Sequence, residues 1–155
     1  VAVGLMAWYL PDLVGGGEAI TKTTLGMSTA AAMLPIAFLI RFGLGAVSYA
    51  AGTPGGLFAP MLVLGSQAGL IFGPLCRDWT PIVAINPTAC AITGMAAFFT
   101  AVVRAPLTGI ILVIELTGSY TQLLPMLAAC FTAMLIPTVW RNPPIYDSLK
   151  PRAAK

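Results

Sequence analysis

The chain of 155 residues is 58% hydrophobic and only 8% charged, with a mean hydropathy of +0.91. A water-soluble domain needs far more polar surface and a disordered chain far less hydrophobicity, so both classes are excluded and we expect an integral membrane protein. The net charge of +3 includes a basic cluster that indicates a cytoplasmic flank, while the other basic residues are isolated between apolar stretches, which argues against nucleic-acid binding. The cluster consists of Arg141, Lys150, Arg152 and Lys155.

The chain has no histidine, and its three cysteines, Cys76, Cys90 and Cys130, are far apart. Without histidine, the zinc-protease helix motif, the His-dependent triads and the commonest proton shuttle are all excluded. The cysteines have neither metal-ligand nor redox spacing and are interpreted as small apolar residues in helices. We therefore expect a protein that is not an enzyme and that needs no metal and no cofactor.

The first 50 residues predict three segments of different kinds, two apolar and one amphipathic. Residues 1–10 are typical of the last turns of a helix, and because residue 1 is not Met we expect further residues upstream. Residues 18–25 are short and moderately amphipathic, which suits a helix that stops part way or lies near the interface. Residues 28–49 predict one tilted or kinked span, interrupted by Pro35 and Arg41.

A hinge rich in glycine and proline at 51–60 precedes the next predicted helix, at 58–75. Pro60 suits the first turn of that helix. Small residues recur at every fourth position and form a stripe that another helix can approach closely. They are Gly65, Gly69 and Gly73, and we interpret them as ordinary helix packing.

Two shorter helices are predicted after a connection at 76–87, which would place Arg77, Asp78 and Trp79 at an interface. Residues 88–103 predict the first helix and residues 107–116 the second, because a proline follows the intervening Arg-Ala pair. A helix of roughly 10 to 16 residues does not comfortably cross a bilayer about 30 Å thick.

Residues 123–139 predict a longer helix, with Pro125 near its start and Pro137 near its end, and residues 146–149 predict a final short one. Short apolar helices cannot leave their ends in lipid, because unpaired backbone groups there are very unfavourable. Their ends must face protein, water or an ion, as in transporters whose half-helices meet near the membrane midplane. The residues alone therefore indicate a transporter-like architecture and leave the substrate open.

The predicted helix start near residue 58 is the best candidate for an anion site. A helix amino terminus exposes free N–H groups and a partial positive charge, so it can hold an anion without a basic side chain. In Gly55-Gly56-Leu57-Phe58-Ala59 the glycines permit close approach and unusual dihedral angles, and the apolar side chains exclude water. Without Arg or Lys the ion can also leave, as conduction requires. A plain helix kink would show the same Gly-Gly pattern.

Several motifs, in order and over nearly the whole chain, resemble the ClC family of chloride channels and chloride/proton antiporters. The resemblance implies an all-α membrane protein: a ClC-like bundle of tilted and broken transmembrane helices, of which this chain is the second inverted repeat only. The motifs are Gly55-Gly56-Leu57-Phe58-Ala59-Pro60 with Gly65 and Gly69, Gly94-Met95-Ala96-Ala97, Arg104-Ala105-Pro106-Leu107-Thr108-Gly109, Ile114-Glu115-Leu116-Thr117 and Pro143-Pro144-Ile145-Tyr146.

The resemblance also implies which residues hold chloride, the transported ion. In this family the backbone amides at the positions matching Leu57 and Phe58 coordinate chloride, with Ala59 contributing toward the outer side. The hydroxyl at the position matching Tyr146 supplies an inner hydrogen bond, which suits a phenol because it is a neutral donor. Apart from the resemblance, an aromatic at the membrane interface would be the simpler explanation of Tyr146. The supporting hinge is expected to consist of Gly55, Gly56 and Pro60.

Two charges, Arg104 and Glu115, lie deepest in the apolar sequence. An intramembrane charge is a functional candidate by default. Both residues flank the break between short helices, however, and we interpret them as capping helix ends or pairing with polar groups. In this family the helices matching 107–116 and 123–140 build a homodimer interface. Leu123 and Leu127, one turn apart, are candidates for it, although leucines facing lipid would look the same.

Residues 1–149 are therefore expected to be the carboxy-terminal part of a ClC-type transmembrane domain, incomplete at the amino terminus, and residues 150–155 a basic cytoplasmic tail. We expect a multi-pass protein of the plasma membrane, or of the inner membrane in a prokaryote. Its partners would be chloride, the lipid bilayer, a second copy in a homodimer and, in an antiporter, protons, but no nucleic acid. The family's gating and proton-transfer glutamates belong to the other repeat, so channel and antiporter stay open. The alternatives are another broken-helix secondary transporter and a non-transporting membrane fragment.

Overall fold

The structure is a computed structural model that describes residues 34–50, 56, 58–79 and 86–147. The helices predicted at 1–10 and 18–25, the first residues of the span at 28–49 and the tail at 150–155 lie outside the described residues. Every regular element within the described part is helical, which confirms the all-α prediction there. The elements are α1 (Leu34–Ala50), α2 (Phe58–Trp79), α3 (Pro87–Val103), α4 (Pro106–Thr117) and α5 (Leu123–Val139), with one helical turn at 145–147.

Proline and asparagine explain where two of the helices begin. α3 starts at Pro87, whose missing N–H and restricted φ suit the first helical position. Asn86 precedes it in an extended conformation, and its side-chain oxygen accepts a hydrogen bond of 2.9 Å from the backbone N–H of Thr88. α4 starts in a similar way at Pro106. The two helices predicted around the Arg-Ala-Pro break are therefore confirmed.

α2 is longer than the sequence predicted. The prediction ended this helix at residue 75 and placed Arg77, Asp78 and Trp79 in a connection, but α2 continues to Trp79. Pro74 lies inside the helix, where it removes one backbone hydrogen bond without ending the helix. Leu70, in the turn before it, is buried, so packing against neighbouring helices offsets the local cost. The predicted connection for residues 76–79 is therefore wrong.

The described helices differ in whether they could cross a bilayer. By length and composition, one stretch of the described part is long and apolar enough: Phe58–Cys76, with 19 residues, in α2. α4 has 12 residues and extends about 18 Å at 1.5 Å per residue, against a hydrocarbon core of about 30 Å. α3 has 17 residues. The prediction of short helices on both sides of the break is confirmed, and one end of each lies where the chain reverses between Val103 and Pro106.

α3 is the central helix of the described part, because it packs against α2, α4 and α5. Side chains from all four of these helices form one buried apolar cluster. The cluster joins the start of α2 to the break between α3 and α4. Its members include Met61 and Leu62 of α2, Met95 and Phe99 of α3, Ile110 and Val113 of α4, and Met126 and Cys130 of α5.

Glycines bring α2 and α3 into backbone contact. A Cβ built on Gly69 would collide with the backbone carbonyl of Cys90, and a Cβ built on Gly73 would lie 3.3 Å from the Sγ of the same cysteine. Gly65 faces α3 in the same way, one turn earlier along α2. The small-residue stripe predicted on this helix is therefore confirmed, and its partner is α3.

Much of the remaining surface is apolar. Large side chains are widely exposed on the outer helices, for example Leu39 on α1 and Leu124 and Val139 on α5. Apolar residues surround these helices instead of forming a single stripe, which is typical of elements that face lipid or another part of a membrane protein. Of the two leucines considered for a subunit interface, Leu123 is exposed, whereas Leu127 packs against the apolar cluster of this chain.

Candidate anion site

α2 begins at Phe58, where the sequence predicted a helix start. The first four N–H groups of a helix have no partner inside it, and the helix dipole adds a partial positive charge at this end. Pro60, the third residue of α2, has no N–H, so it fits the first turn as predicted. The backbone amides of Phe58 and Ala59 therefore stand at the positive end of α2, and Leu57 and Gly55 lie outside the described residues.

An aromatic contact anchors the start of α2. The rings of Phe58 and Phe99 meet edge to face, with centroids 5.5 Å apart and planes at 75°. Phe99 is buried in the second half of α3, and Gly109 of α4 packs against it, since a Cβ there would lie 2.9 Å from its Cδ1. The first residue of α2 is thus held through Phe99 by the helix that follows the break.

Gly56 was expected to belong to a hinge in which glycine permits close contact and unusual dihedral angles. A Cβ built on Gly56 would meet no atom of the described residues within 4 Å, and the φ of this residue is outside the left-handed region. Neither a close contact with the described residues nor an unusual dihedral angle therefore requires glycine at this position.

Tyr146 lies on the helical turn at 145–147, and half of its surface is exposed. The turn is closed by a hydrogen bond of 3.1 Å from the backbone N–H of Asp147 to the carbonyl oxygen of Pro144. No hydrogen bond within the described residues engages the Tyr146 hydroxyl. The phenol stands on a different element from the amides of Phe58 and Ala59.

Arg104 caps the end of another helix, as the sequence analysis expected. One terminal nitrogen of its guanidinium donates a hydrogen bond of 2.8 Å to the hydroxyl of Thr138, and the other donates one of 2.5 Å to the carbonyl oxygen of Asn142. Both acceptors lie at the carboxyl end of α5, where the helix dipole favours a cation. Glu115 has a different position, since its side chain is exposed on α4.

Sequence reasoning missed two supports of this region. It did not identify Phe99 as the partner of Phe58, and it did not place Gly109 beneath Phe99, although Gly109 ends a motif that had been noted. A glycine in the first turn of a short apolar helix was the available signal for a close contact. Nothing in the local sequence distinguishes Phe99 from its neighbour Phe98.

Residues 1–138 match the family described as voltage gated chloride channel. The chain belongs to this family. The start of α2 and the break at Arg104 both lie within the matched part of this ClC-family chain. The expected resemblance is confirmed, together with the all-α ClC-like fold.

Curated relatives of this ClC-family chain are named H(+)/Cl(-) exchange transporter ClcA. The protein of Vibrio cholerae serotype O1 is 40% identical over 152 residues, which cover 98% of this chain and 32% of that relative. The protein of Vibrio parahaemolyticus is 39% identical over the same shares. That of Yersinia pestis is 40% identical over 149 residues, 96% of this chain and 31% of the relative. The chain thus spans about a third of the length of these relatives, which are named as transporters and not as enzymes.

Proposed function

We propose that this chain contributes the central and inner anion contacts of a chloride transporter embedded in a membrane. The backbone amides of Leu57 and Phe58 hold the chloride, Ala59 contributes toward the outer side, and the hydroxyl of Tyr146 donates from the inner side. The observation that carries this proposal is the start of α2 at Phe58, which leaves the amides of Phe58 and Ala59 at a helix amino terminus. Family membership supports it independently.

The physical case rests on a site that binds an anion without a fixed positive side chain. Amides at a helix amino terminus and a neutral phenol attract chloride by dipoles, so the ion is not trapped. The guanidinium of Arg104 donates its hydrogen bonds to Thr138 and Asn142. Binding that is both favourable and readily reversed suits rapid passage.

Exchange of chloride for protons is the form of transport that we favour. The curated relatives carry the name H(+)/Cl(-) exchange transporter, and 40% identity over 152 residues supports transfer of that activity. The two ions would be chloride and H⁺, with no cofactor. A passive chloride channel is the alternative, because the glutamates that distinguish the two are expected in the other repeat.

The transporter would be a multi-pass membrane protein. Residues 1–149 would form part of its transmembrane domain, and the basic residues of 150–155 would lie on the cytoplasmic side of a plasma or prokaryotic inner membrane. The exposed apolar side chains of the outer helices support contact with lipid. The short α4, which cannot span a bilayer alone, supports a pore that is completed by further helices.

A homodimer is part of the proposal. α4 and α5 pack together and expose large apolar side chains, among them Leu107, Ile111 and Leu124. Such a surface suits a second copy as well as lipid. Single cysteines placed at these positions in the full-length protein should form intermolecular cross-links, whereas a cysteine at exposed Leu39 on α1 should not. Equal cross-linking at all four positions would argue against a specific interface.

The transport proposal is tested with the full-length protein in liposomes. Chloride efflux is followed with an ion-selective electrode, and chloride affinity is measured by calorimetry in detergent. Tyr146→Ala should weaken chloride binding about tenfold or more, equivalent to the loss of a hydrogen bond to a charged group, and should loosen proton coupling. Tyr120→Ala is the matched control, because Tyr120 is exposed on the loop between α4 and α5.

Two outcomes would contradict the proposal in different ways. Liposomes that release no chloride would remove the transport function. Unchanged affinity and coupling in the Tyr146→Ala protein would remove Tyr146 from the site while leaving transport itself in place.

A further inference from the structure

Arg104 and Tyr146 are connected by a chain of hydrogen bonds and a stiff linker. The Arg104 guanidinium donates to two acceptors on either side of the end of α5, the Thr138 hydroxyl at 2.8 Å and the Asn142 carbonyl oxygen at 2.5 Å. Asn142 lies four residues before Tyr146 in the chain. The side chain therefore acts on the segment that leads directly to the proposed chloride ligand.

The donor side of this connection is held firmly. Arg104 is the residue that follows α3, and its backbone is in the left-handed region, with φ 66°. Its backbone N–H donates a hydrogen bond of 2.8 Å to the carbonyl oxygen of Thr100. A non-glycine residue in this region is strained and persists only when its surroundings hold it there. Pro106 starts α4 two residues later and limits the backbone on the other side. The guanidinium thus projects from a well-defined break.

The acceptor Thr138 is oriented for a donor from outside α5. Its hydroxyl gives its own proton to the carbonyl oxygen of Met134, at 2.6 Å. The remaining lone pairs of the hydroxyl can only accept, and Arg104 supplies the donor. One hydroxyl thus joins the last turn of α5 to the end of α3.

Both backbone polar groups of Asn142 make hydrogen bonds. Its N–H donates a hydrogen bond of 3.1 Å to the carbonyl oxygen of Pro137, and the N–H of Arg141 donates one of 3.0 Å to the carbonyl oxygen of Thr138. With Arg141 in the left-handed region at φ 52°, these bonds form a Schellman cap at the end of α5. Its carbonyl oxygen accepts from Arg104, so little freedom remains at this residue.

The linker from Asn142 to Tyr146 transmits that position. Pro143 and Pro144 have restricted φ angles, and each also restricts the residue before it to extended conformations. The turn that carries Tyr146 begins immediately afterwards and is closed by the bond from Asp147 to Pro144. A shift of the Asn142 carbonyl would therefore move the turn that carries the phenol.

We propose that Arg104 is a positioning residue for Tyr146: its two-pronged contact with Thr138 and Asn142 sets the position of the phenol relative to chloride. This inference rests on the proposed function, because it takes Tyr146 as an anion ligand. Arginine suits the role because its planar fork reaches two acceptors at once, which the single ammonium of lysine does not reproduce. The charge of Arg104 is not itself a chloride ligand in this arrangement.

The test is a double-mutant cycle on chloride affinity, measured by calorimetry on the full-length protein. Arg104→Lys and Arg104→Gln should each weaken chloride binding about 3- to 10-fold when Tyr146 is present, through loss of one or both positioning contacts. In the Tyr146→Ala background the same substitutions should have no further effect, because the group that they position is gone. Thr138→Val, which keeps the side-chain shape, should weaken binding about 2- to 5-fold and follow the same pattern.

The outcomes separate this inference from the proposed function. Weakening by the same factor in both Tyr146 backgrounds would overturn it, because Arg104 would then act independently of the phenol. Wild-type affinity in Arg104→Lys with weakening in Arg104→Gln would also overturn it, because charge alone would then matter. If Tyr146→Ala weakens binding and neither Arg104 variant does, the inference fails while the proposed function stands. If Tyr146→Ala has no effect, this inference and the role of Tyr146 as a chloride ligand both fail, while chloride transport itself stands. Should the Arg104 variants not fold, the Thr138→Val cycle gives the decision by the same criteria.

Discussion

Gly65 of α2 and Gly94 of α3 lie backbone against backbone. A Cβ built on Gly65 would sit 2.6 Å from the carbonyl oxygen of Gly94 and 2.8 Å from the Cα of Met95, and a Cβ built on Gly94 would collide with the Gly65 carbonyl. The helices can cross at this separation because both positions are glycine. Since α2 carries the proposed anion site at its start, this crossing determines where the site stands relative to the core.

The first prediction concerns the same crossing. Gly69→Ala should destabilise the protein by about 1–3 kcal/mol, because the added Cβ would meet the backbone carbonyl of Cys90, which cannot rotate away. Gly73→Ala lies one turn further on the same face and meets only the Cys90 side chain, at 3.3 Å. It should change the unfolding free energy by less than about 1 kcal/mol, since Ala also favours the helix. Denaturant unfolding of the full-length protein in detergent, followed by circular dichroism, measures both. If both variants lost the same unfolding free energy, the effect at Gly69 would not be due to contact with the backbone of α3.

The second prediction concerns the support beneath the start of α2. Gly109→Ala would place a Cβ 2.9 Å from Cδ1 of Phe99, whose ring holds Phe58. The displaced Phe99 should shift Phe58 and weaken chloride binding by about threefold or more, which corresponds to roughly 0.7 kcal/mol. Calorimetric titration with chloride measures the change. Gly73→Ala is the control, because it adds the same methyl group at a contact that does not involve Phe58. A folded Gly109→Ala protein with wild-type affinity would rule out this support.

The third prediction concerns the end of α4. Gly118 closes this helix with φ 64°, and its N–H donates a hydrogen bond of 2.7 Å to the carbonyl oxygen of Ile114. Because a Cβ at this position would meet no atom within 4 Å in the part of the chain that the structure describes, we expect the cost of Gly118→Ala to be conformational. We expect a loss of about 1 kcal/mol, and a smaller one for Gly118→Asn, since Asn tolerates the left-handed region better. Thermal unfolding of the two variants beside the wild type checks the order. If the Gly118→Ala protein were as stable as the wild type, the backbone at residue 118 would have relaxed out of the left-handed conformation.

The fourth prediction concerns the start of α3. Asn86→Ala removes the side-chain acceptor of the Thr88 N–H and should cost about 1 kcal/mol, as for other helix caps. Asn86→Asp keeps an acceptor at the same place and should lose far less. Both are measured by denaturant unfolding of the full-length protein. If the two substitutions were equally harmful, the contribution of Asn86 would lie in its amide nitrogen and not in the cap.

Several helix ends could be predicted because their causes are local. α4 begins at Pro106 because proline suits the first helical position, and α5 keeps its predicted bounds, Leu123–Val139. α2 was predicted to end at residue 75, but it continues to Trp79 with Pro74 inside it. Its continuation depends on burial against other helices, which the residues around Pro74 do not reveal.

The candidate site was predictable in part for the same reason. The glycine pair and Pro60 indicated a helix start near residue 58, and α2 begins at Phe58. The contact between Arg104 and Asn142 joins residues 38 positions apart, and the edge-to-face contact of Phe58 with Phe99 joins residues in different helices. No local pattern predicts such pairs.

By itself the sequence determined that this is a helical membrane protein, which motifs it carries and where most of its helices end. These properties follow from overall hydrophobicity and from the local effects of proline and asparagine on the backbone. Only the tertiary structure decided that the glycine stripe of α2 meets α3 at Gly94, and that Arg104 reaches the end of α5. Contacts of this kind depend on the angle and separation at which whole helices cross. Those quantities are set by many side chains packing together, so they appear only once the chain is folded.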